Sequence, residues 1–477
     1  MFRVLLGRLG MALMAASLSL SATAQRQHTL HYGQGRTIQL SLPQPFEISI
    51  VAEGLKRVRF FAQAPDGRIF VTGLHDLSDN REGAVFILED WDPRAGRFTR
   101  ITRYLDHLRN PNSVAFWTDP ASKQSWIYVA LTSRLVRYRY NAGDEKPSSP
   151  PEVLLRFPDY GLNYKYGGWH LTRTVALAEV RGAARIFVSV GSSCNYCAEP
   201  EVARASVISM DPDGKNQQVV AQGLRNAVGL KYLPEVDGGA LFATNQGADH
   251  LGDGRPDETF FELQRAPQGP MNYGWPGCYF DGGKPAHDGT PLPSLNDVLA
   301  HHPAAADAQL SREESVYGEQ SGVAAAGTNL PAGGGHVAGA DPNAALGKPP
   351  APLATCDQLP RPYAIFKAHS SALGFAFFGT QDSLLQGSFV VALHGAGHPR
   401  IGAGYKVVRF TSADRKPKDF ITGFLTFAHA KPVVHGRPCG ILRVGPDSFL
   451  LTDDYLGLVY YVRPAGYVRP AGTKTPF

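Results

Sequence analysis

The sequence predicts an all-β chain that folds as a six-bladed β-propeller, with a long, partly disordered insertion between blades 4 and 5. Three observations support this prediction. Short apolar segments with strand character recur in six imperfect repeats, spaced by roughly 40–50 residues, a typical blade length. The chain contains 51 glycine and 36 proline residues, which suits many turns and few long helices. One segment rich in glycine, alanine and proline interrupts the repeat.

Each repeat has the same internal order. An apolar strand leads into a turn such as Pro65-Asp66-Gly67, a second apolar strand follows, and a third closes the unit. Alternating apolar residues from Arg26 to Ile48 predict one further strand ahead of the first unit. The repeat disfavours the alternative of a β-sandwich with a second domain. The first strands of the six units are Val58–Ala62, Ser113–Phe116, Val175–Leu177, Ala227–Leu230, Ala372–Phe377 and Cys439–Leu442.

The chain begins with a predicted signal peptide at residues 1–24. Arg3 and Arg8 form a basic start, an apolar run follows, and Ala22-Thr23-Ala24 offers a small-residue cleavage site. The apolar run is short for a membrane span, so a single-pass anchor is the less favoured alternative. The mature protein is therefore predicted to be periplasmic or secreted, with no transmembrane segment.

The remaining chain divides around the insertion. Residues 25–280 are predicted to form blades 1–4, residues 281–359 the insertion, residues 360–465 blades 5 and 6, and residues 466–477 a tail. The glycine- and alanine-rich part of the insertion buries too little apolar surface to offset the entropy of ordering, so it is predicted to be mobile. The tail contains a tandem copy of Tyr-Val-Arg-Pro-Ala-Gly, to which we assign no function.

Charge and cysteine content narrow the choice of function. A net charge of +5 is small for 477 residues and diffuse, which gives no support to nucleic-acid binding. Five cysteines in an exported chain indicate disulfides. Cys194 and Cys197 are close enough to bridge, Cys278 and Cys356 flank the low-complexity segment, and Cys439 is predicted to be free and buried. Haem attachment is less favoured because it would need a histidine directly after Cys197, and zinc is less favoured because it would need a second pair of ligands.

Seven motifs carry a resemblance to a known family. In chain order they are Trp169–Thr174, Gly191–Cys197, Gly223–Leu230, Leu251–Asp253, Asn272–Pro276, His369–Gly374 and Gly404–Arg409. They resemble the glucose/sorbosone dehydrogenase family, including L-sorbosone dehydrogenase-like members, over most of the chain after Leu55 except the insertion. The resemblance implies an exported six-bladed propeller. Several members of that family bind pyrroloquinoline quinone and oxidise sugars.

His170 is the candidate catalytic base. Oxidation of a sugar hydroxyl removes the O–H proton while hydride leaves the carbon, and a neutral imidazole is a suitable base near neutral pH. His170 stands where the motif of the family has its base. The alternative is a structural histidine bonded to a neighbouring carbonyl group.

Arg225 and Asn226 are candidates for contact with the cofactor. The quinone is a flat tricarboxylate, which planar, forked guanidinium donors bind better than lysine does. Arg225 occupies the position where the resemblance implies a cofactor-contacting arginine, with Asn226 beside it. The alternative for Arg225 is a buried salt-bridge partner.

Arg400 is a second candidate for binding the quinone. Many members of the family have a tryptophan and then an arginine shortly after the His-Gly pair that corresponds to His394-Gly395. This chain has Gly397 and Pro399 at those positions, with Arg400 one step later. Further residues that could line the same mouth, or be solvated or structural, are Arg173, His369, Lys367 and Arg437.

The loop after the second strand of blade 4 is the candidate calcium site. Calcium would polarise the quinone carbonyl that accepts hydride, and it prefers carbonyl and carboxylate oxygens. The resemblance implies that the carbonyl groups of Gly247 and Ala248 face the ion. Asp249 and Asp253 could bind it as well, or could cap turns.

The leading hypothesis is a quinone-dependent dehydrogenase that oxidises an aldose or sorbosone-like sugar. No haem motif is present, so electrons would pass to an external acceptor, a soluble cytochrome or a quinone. One alternative is a propeller that binds sugar or protein without redox chemistry, which the altered motif near Arg400 favours. A calcium-dependent lactonase is a third reading, less favoured because no set of carboxylates stands at the starts of the inner strands.

Overall fold

The computed structural model describes residues 25–158, 170–180, 182–263, 269–294, 297, 346–349, 353 and 355–467. Regular structure in these ranges is almost entirely β-strand, and none of their helices is long and apolar enough to cross a membrane. The predicted signal peptide, the predicted mobile part of the insertion and residues 468–477 of the tail lie outside the described residues.

The strands of the first half form a hairpin and three blades. β1 (Gln25–Tyr32) and β2 (Arg36–Pro43) pair as the hairpin, and β3 (Phe46–Ala52) follows. Blade 1 contains β4 (Val58–Gln63), β5 (Ile69–Gly73), β6 (Gly83–Asp92) and β7 (Arg97–Leu108). Blade 2 contains β8 (Ser113–Thr118), β9 (Ser125–Ala130), β10 (Arg134–Tyr140) and β11 (Glu152–Arg156). Blade 3 contains β12 (Arg173–Val180), β13 (Ala183–Val190), β14 (Ser206–Met210) and β15 (Gln218–Gln222).

The strands of the second half form three more blades. Blade 4 begins with β16 (Ala227–Leu233), β17 (Ala240–Asn245) and β18 (Glu258–Glu262); β19 (Met271–Asn272) then pairs with β15, and β20 (Cys278–Asp281) and β21 (Lys284–His287) form a hairpin. β22 (Ala364–Phe366) completes blade 4. Blade 5 contains β23 (Ala372–Phe378), β24 (Ser388–Leu393), β25 (Lys406–Thr411) and β26 (Lys418–Ile421). After the hairpin of β27 (Leu425–Ala428) and β28 (Lys431–Val434), blade 6 contains β29 (Pro438–Arg443), β30 (Phe449–Asp453), β31 (Leu458–Pro464) and β3.

The six sheets close into a ring, which confirms the predicted six-bladed propeller. The innermost strands contact one another in the cyclic order β4, β8, β12, β16, β23, β29 and back to β4. The prediction of a single strand from Arg26 to Ile48 was wrong, because this segment contains β1, β2 and the start of β3. β3 pairs with β31, with Ile48 opposite Val462, so blade 6 is built from both ends of the described chain.

The insertion interrupts blade 4 before its last strand. β22 pairs with β18, with Thr259 opposite Ile365, although it follows the insertion in sequence. Residues 364–366, which the sequence assigned to blades 5 and 6, therefore belong to blade 4. Both predicted disulfides are present, and Cys278–Cys356 joins the two ends of the insertion. Cys439 is free and buried, as predicted.

Neighbouring blades meet through a recurring threonine–glycine contact. In blade 6, the Thr452 hydroxyl group donates to the Arg59 carbonyl oxygen of blade 1 (2.7 Å) and accepts from the Gly440 amide (2.6 Å). Blade 4 repeats the contact, where Thr244 donates to the Leu373 carbonyl oxygen of blade 5 (2.9 Å). These contacts join the innermost strands of adjacent blades and define the central face.

Gly440→Ala should lower the free energy of unfolding by about 1–3 kcal/mol, the usual cost of overpacking. A Cβ atom at position 440 would overlap the Arg59 carbonyl oxygen, which belongs to the backbone of the adjacent blade. Urea unfolding followed by tryptophan fluorescence measures the change. Gly289→Ala is the matched control, because a Cβ atom there meets nothing within 4 Å. Equal midpoints for the two variants would contradict this account of the blade contact.

Candidate active site

The topology brings the candidate residues to one face of the propeller. In each blade the start of the first strand pairs with the end of the second, as with Arg173 opposite Val190 and Ala227 opposite Asn245. The connector that precedes the first strand and the connector that follows the second therefore lie at the same end of the ring. The candidates in these connectors, or at the first position of a strand beside them, are His170, Arg173, Arg225, Asn226, Gly247, Ala248, Asp249, Asp253, His369 and Arg400.

His170 lies on this face as a neutral imidazole with a defined tautomer. Its Nδ1 atom is 2.9 Å from the Ser192 carbonyl oxygen and 3.0 Å from the Ser192 hydroxyl oxygen. Because a carbonyl oxygen only accepts hydrogen bonds, Nδ1 carries the proton and Nε2 keeps its lone pair. Burial lowers the pKa of His170 well below its ordinary value of 6.5, and the positive charge of nearby Arg225 lowers it further. The ring is therefore able to accept a proton at Nε2 at neutral pH.

Asn226 lies beside His170 because Gly191 leaves room between them. A Cβ atom on Gly191 would be 2.6 Å from the Asn226 Oδ1 atom and 2.7 Å from the His170 Cβ atom. The Asn226 amide donates to the Gln246 Oε1 atom (2.7 Å), and the Gln246 amide donates to the Ser371 hydroxyl group (2.6 Å). A chain of polar contacts thus runs across the face from the start of blade 4 to the start of blade 5.

Arg225 is almost completely buried, with 3% of its surface exposed. Its Nε and Nη2 atoms donate to the main-chain oxygen (3.0 Å) and Oδ1 atom (2.7 Å) of Asn195. Nη1 donates to the Gly247 carbonyl oxygen (2.6 Å), and Nη2 also reaches the Asp249 carboxylate (3.0 Å). These bonds engage four of the five guanidinium donors. The geometry corresponds to the predicted alternative, a buried ion pair, rather than to an open grip for a carboxylate.

The candidate calcium loop is also engaged in protein contacts. The Asp249 carboxylate bridges Arg225 and His369, whose Nδ1 atom is 3.4 Å from the Asp249 Oδ1 atom. Asp253 is exposed and Ala248 is buried. Calcium requires six to eight oxygen ligands, and here the Arg225 guanidinium group occupies the Gly247 oxygen and one Asp249 oxygen. Two adjacent cations repel, so this loop does not fit a calcium ion, and we derive no step through calcium.

Three further candidates differ in their surroundings. Arg173 is fully buried, and its Nη1 atom donates to the His170 carbonyl oxygen (2.6 Å) and the Thr172 carbonyl oxygen (3.1 Å). It therefore supports the His170 backbone instead of lining the mouth. Arg400 is exposed, in a 3₁₀ turn (Pro399–Ile401) that packs against β28. His369 is partly buried, and its Nε2 atom lies 3.0 Å from the Gly252 carbonyl oxygen.

A second polar cluster lies on the same face, and of its members only Arg437 was a candidate from the sequence. The fully buried Asp454 carboxylate accepts from the His394 Nε2 atom (2.8 Å) and the Arg59 Nη1 atom (3.1 Å). Burial alone would raise the pKa of Asp454, but His394 and Arg59 more than offset it and hold the pKa below 3.8. Arg437 contacts the other ring nitrogen of His394 (3.4 Å) and donates to the Tyr405 hydroxyl group (2.8 Å). The sequence feature that could have indicated this cluster is the carboxylate pair Asp453-Asp454, directly at the end of a strand.

Comparisons with known proteins agree at the level of the fold. No family model and no curated sequence matches the chain. The pyranose dehydrogenase PQQ domain from Coprinopsis cinerea aligns with a TM-score of 0.59 and 15% identity, covering 89% of this chain and 97% of that one. A Trichoderma reesei enzyme of carbohydrate-active family AA12, in a calcium structure, aligns with a TM-score of 0.57 and 16% identity, covering 89% of this chain and 96% of that one. The soluble aldose sugar dehydrogenase from Escherichia coli aligns with a TM-score of 0.50 and 11% identity, covering 88% of this chain and 99% of that one.

Proposed function

We propose that this protein is an exported sugar dehydrogenase that uses pyrroloquinoline quinone and takes the hydroxyl proton of its substrate on His170. The observation that carries the proposal is the neutral, partly buried His170 imidazole on the central face of the propeller, whose Nδ1–H bond to Ser192 leaves the lone pair on Nε2. Proteins of the same fold are described as a PQQ domain and as an aldose sugar dehydrogenase, which supports the cofactor and the substrate class. The substrate we propose is an aldose or a sorbosone-like sugar.

The chemistry assigns a distinct task to each atom of His170. The sugar loses a proton from oxygen and a hydride from carbon, and it becomes a lactone or a carbonyl compound. When bound, the quinone supplies the two-electron acceptor for the hydride. Nε2 receives the proton, while Nδ1–H donates to the Ser192 carbonyl oxygen and stabilises the imidazolium ion. The positive charge of Arg225 disfavours that ion and favours release of the proton to solvent.

Cations that remain accessible on the face fit an anionic, planar cofactor better than Arg225 does. Arg400 and Lys367 are exposed. The Arg57 side chain is 24% exposed, and its buried Nη1 atom has no hydrogen-bond partner among the described residues. The same atom forms an ion pair with the Asp454 Oδ1 atom, 3.6 Å away. These side chains would bind the carboxylates of the quinone, with Arg57 added to the predicted set.

Export and the electron acceptor belong to the same proposal. Two disulfides support an oxidising compartment, the periplasm or the extracellular space. The disulfide Cys194–Cys197 uses both cysteines, so this pair does not attach a haem, and the electron acceptor we propose is external, a soluble cytochrome or a quinone.

Reconstitution tests the proposed function. The purified protein is titrated with pyrroloquinoline quinone, with and without calcium, in a calorimeter, and dye reduction is then assayed with a panel of aldoses and sorbosone. We expect saturable binding and sugar-dependent turnover. Absence of quinone binding under both conditions would remove the proposed cofactor. Binding without turnover on any sugar would favour the alternative of a non-catalytic binding propeller.

The pH profile should place the ionisation of the base below pH 6.5. The lowered pKa of His170 means that the neutral, active form persists into mildly acidic solution. kcat/KM should therefore be level through neutral pH and fall only on the acid side, as His170 becomes protonated. The charged groups that act on it are Arg225, Arg204 and Arg173, all cationic. Rates measured from pH 4 to pH 9 check this, and an acid limb centred above pH 7 would contradict it.

A further inference from the structure

The loop after β13 contacts both the proposed base, His170, and the buried Arg225, whose positive charge acts on that base. We call residues Ser192–Cys197 the clip loop, because the Cys194–Cys197 disulfide closes it. Both cysteine side chains are fully buried. The sequence predicted this disulfide but gave the loop no role in the reaction.

Asn195, inside the clip loop, binds the planar edge of the Arg225 guanidinium group. The Nε and Nη2 atoms of Arg225 form two roughly parallel hydrogen bonds, to the main-chain oxygen and the Oδ1 atom of Asn195. The Oδ1 atom also accepts from the Asp249 amide (2.9 Å), and the main-chain oxygen from the Trp275 Nε1 atom (3.2 Å). Because the Oδ1 atom faces two N–H donors, the orientation of the Asn195 amide is determined. Arg225 cannot rotate without breaking this paired contact.

Ser192, at the start of the clip loop, binds His170. Its oxygens accept from the His170 Nδ1 atom and so select the tautomer with a lone pair on Nε2. Its hydroxyl group donates to the Cys194 carbonyl oxygen (2.6 Å), and its amide donates to the Arg225 carbonyl oxygen (2.7 Å). The loop thus connects the histidine of blade 3 with the arginine at the start of blade 4.

We propose that the clip loop is the positioning element of this face, in which Ser192 orients His170, Asn195 orients Arg225, and the disulfide keeps both in register. This inference rests on the proposed function. Asn195 acts through Arg225 and is therefore a positioning residue. A short covalent ring restricts the conformations of the residues inside it, so small displacements of either contact are suppressed.

The test compares Asn195→Ala with Asn195→Asp. Alanine removes the Oδ1 acceptor, whereas aspartate keeps an oxygen for the Arg225 Nη2 atom and the Asp249 amide. We expect Asn195→Ala to lower kcat by on the order of 10²-fold, with a smaller change in KM, because a displaced Arg225 no longer holds its charge in place beside His170, and a small misplacement in an active site can have this cost. Asn195→Asp should restore most of the turnover. Equal kcat for Asn195→Ala and the parent protein would overturn the role of Asn195.

The disulfide is tested by the double variant Cys194→Ala/Cys197→Ala. Its matched control is Cys278→Ala/Cys356→Ala, which removes the other disulfide and should lower thermal stability without moving the pH profile. In the clip-loop variant the acid limb of kcat/KM should shift, because His170 loses its fixed Ser192 partner. An unchanged acid limb in folded clip-loop protein would overturn the role of the disulfide.

Nitrogen-15 NMR of the imidazole and guanidinium groups separates this inference from the proposed function. If the parent protein oxidises no sugar, the function fails, but the signals still report positioning. We expect the Arg225 Nε signal to move in Asn195→Ala and the His170 nitrogen signals to change in the double cysteine variant. If the Arg225 and His170 nitrogen signals were unchanged in both variants, the inference would be contradicted even in an active dehydrogenase.

Discussion

His170→Asn should lower sugar-dependent turnover by about 10²- to 10⁴-fold, the usual contribution of a general base. Asparagine places an N–H donor near the position of Nδ1, so the bond to the Ser192 carbonyl oxygen is retained while the lone pair of Nε2 is lost. The fold and the affinity for the quinone should therefore remain. Dye-reduction kinetics measure kcat, and calorimetry on the same samples measures cofactor binding.

His75→Asn is the matched control for that substitution. His75 lies in a connector on the same face of blade 1, where its Nε2 atom is 3.2 Å from Glu82, and it has no part in the proposed reaction. Its turnover should equal that of the parent protein. If His170→Asn kept more than about a tenth of the parental kcat, the base would have to be another group.

Asp454→Asn should lower the free energy of unfolding by about 3–5 kcal/mol, since it removes one partner of a buried ion pair. Asparagine can still accept a hydrogen bond from His394, but it cannot neutralise Arg59, whose side chain is 6% exposed. The effect depends on pH with a definite sign. Because the pKa of Asp454 is lower in the folded protein, its contribution is present above the unfolded value of 3.8 and is lost only as the pH falls through the lower folded value.

Urea unfolding at pH 7 measures this loss, with Asp382→Asn as the control. Asp382 is exposed in a turn of blade 5 and should change the free energy of unfolding by no more than about 0.5 kcal/mol. An equally small decrease in the free energy of unfolding for Asp454→Asn would contradict the prediction, because it would mean that solvent or another anion compensates the charge of Arg59 in the variant.

The blades were predictable from the sequence because their inner strands are apolar and local turns connect them. The outer strands gave no such signal. β11 has one fully buried residue and β26 has two, so each has only a short apolar segment that does not stand out in the sequence. β3 finds its partner β31 more than four hundred positions away, and no local pattern specifies that register.

The location of the site was predictable for a similar reason, while its contacts were not. Propeller topology places the connectors on one face whatever their sequence, so His170 and Arg225 were expected to converge. Whether Arg225 is open to a ligand depends on Asn195 and Gly247, which arrive from two other connectors. Arg173 shows the same limit, because its burial follows from packing between blades.

The pairing of β3 with β31 has a consequence for biogenesis. Synthesis from the amino terminus delivers β3 before the first five blades and its partner strand, Leu458–Pro464, after them. Five blades can assemble during synthesis, but the ring stays open until the partner strand has emerged. A truncation just before Leu458 should therefore yield a protease-sensitive product rather than a stable smaller propeller.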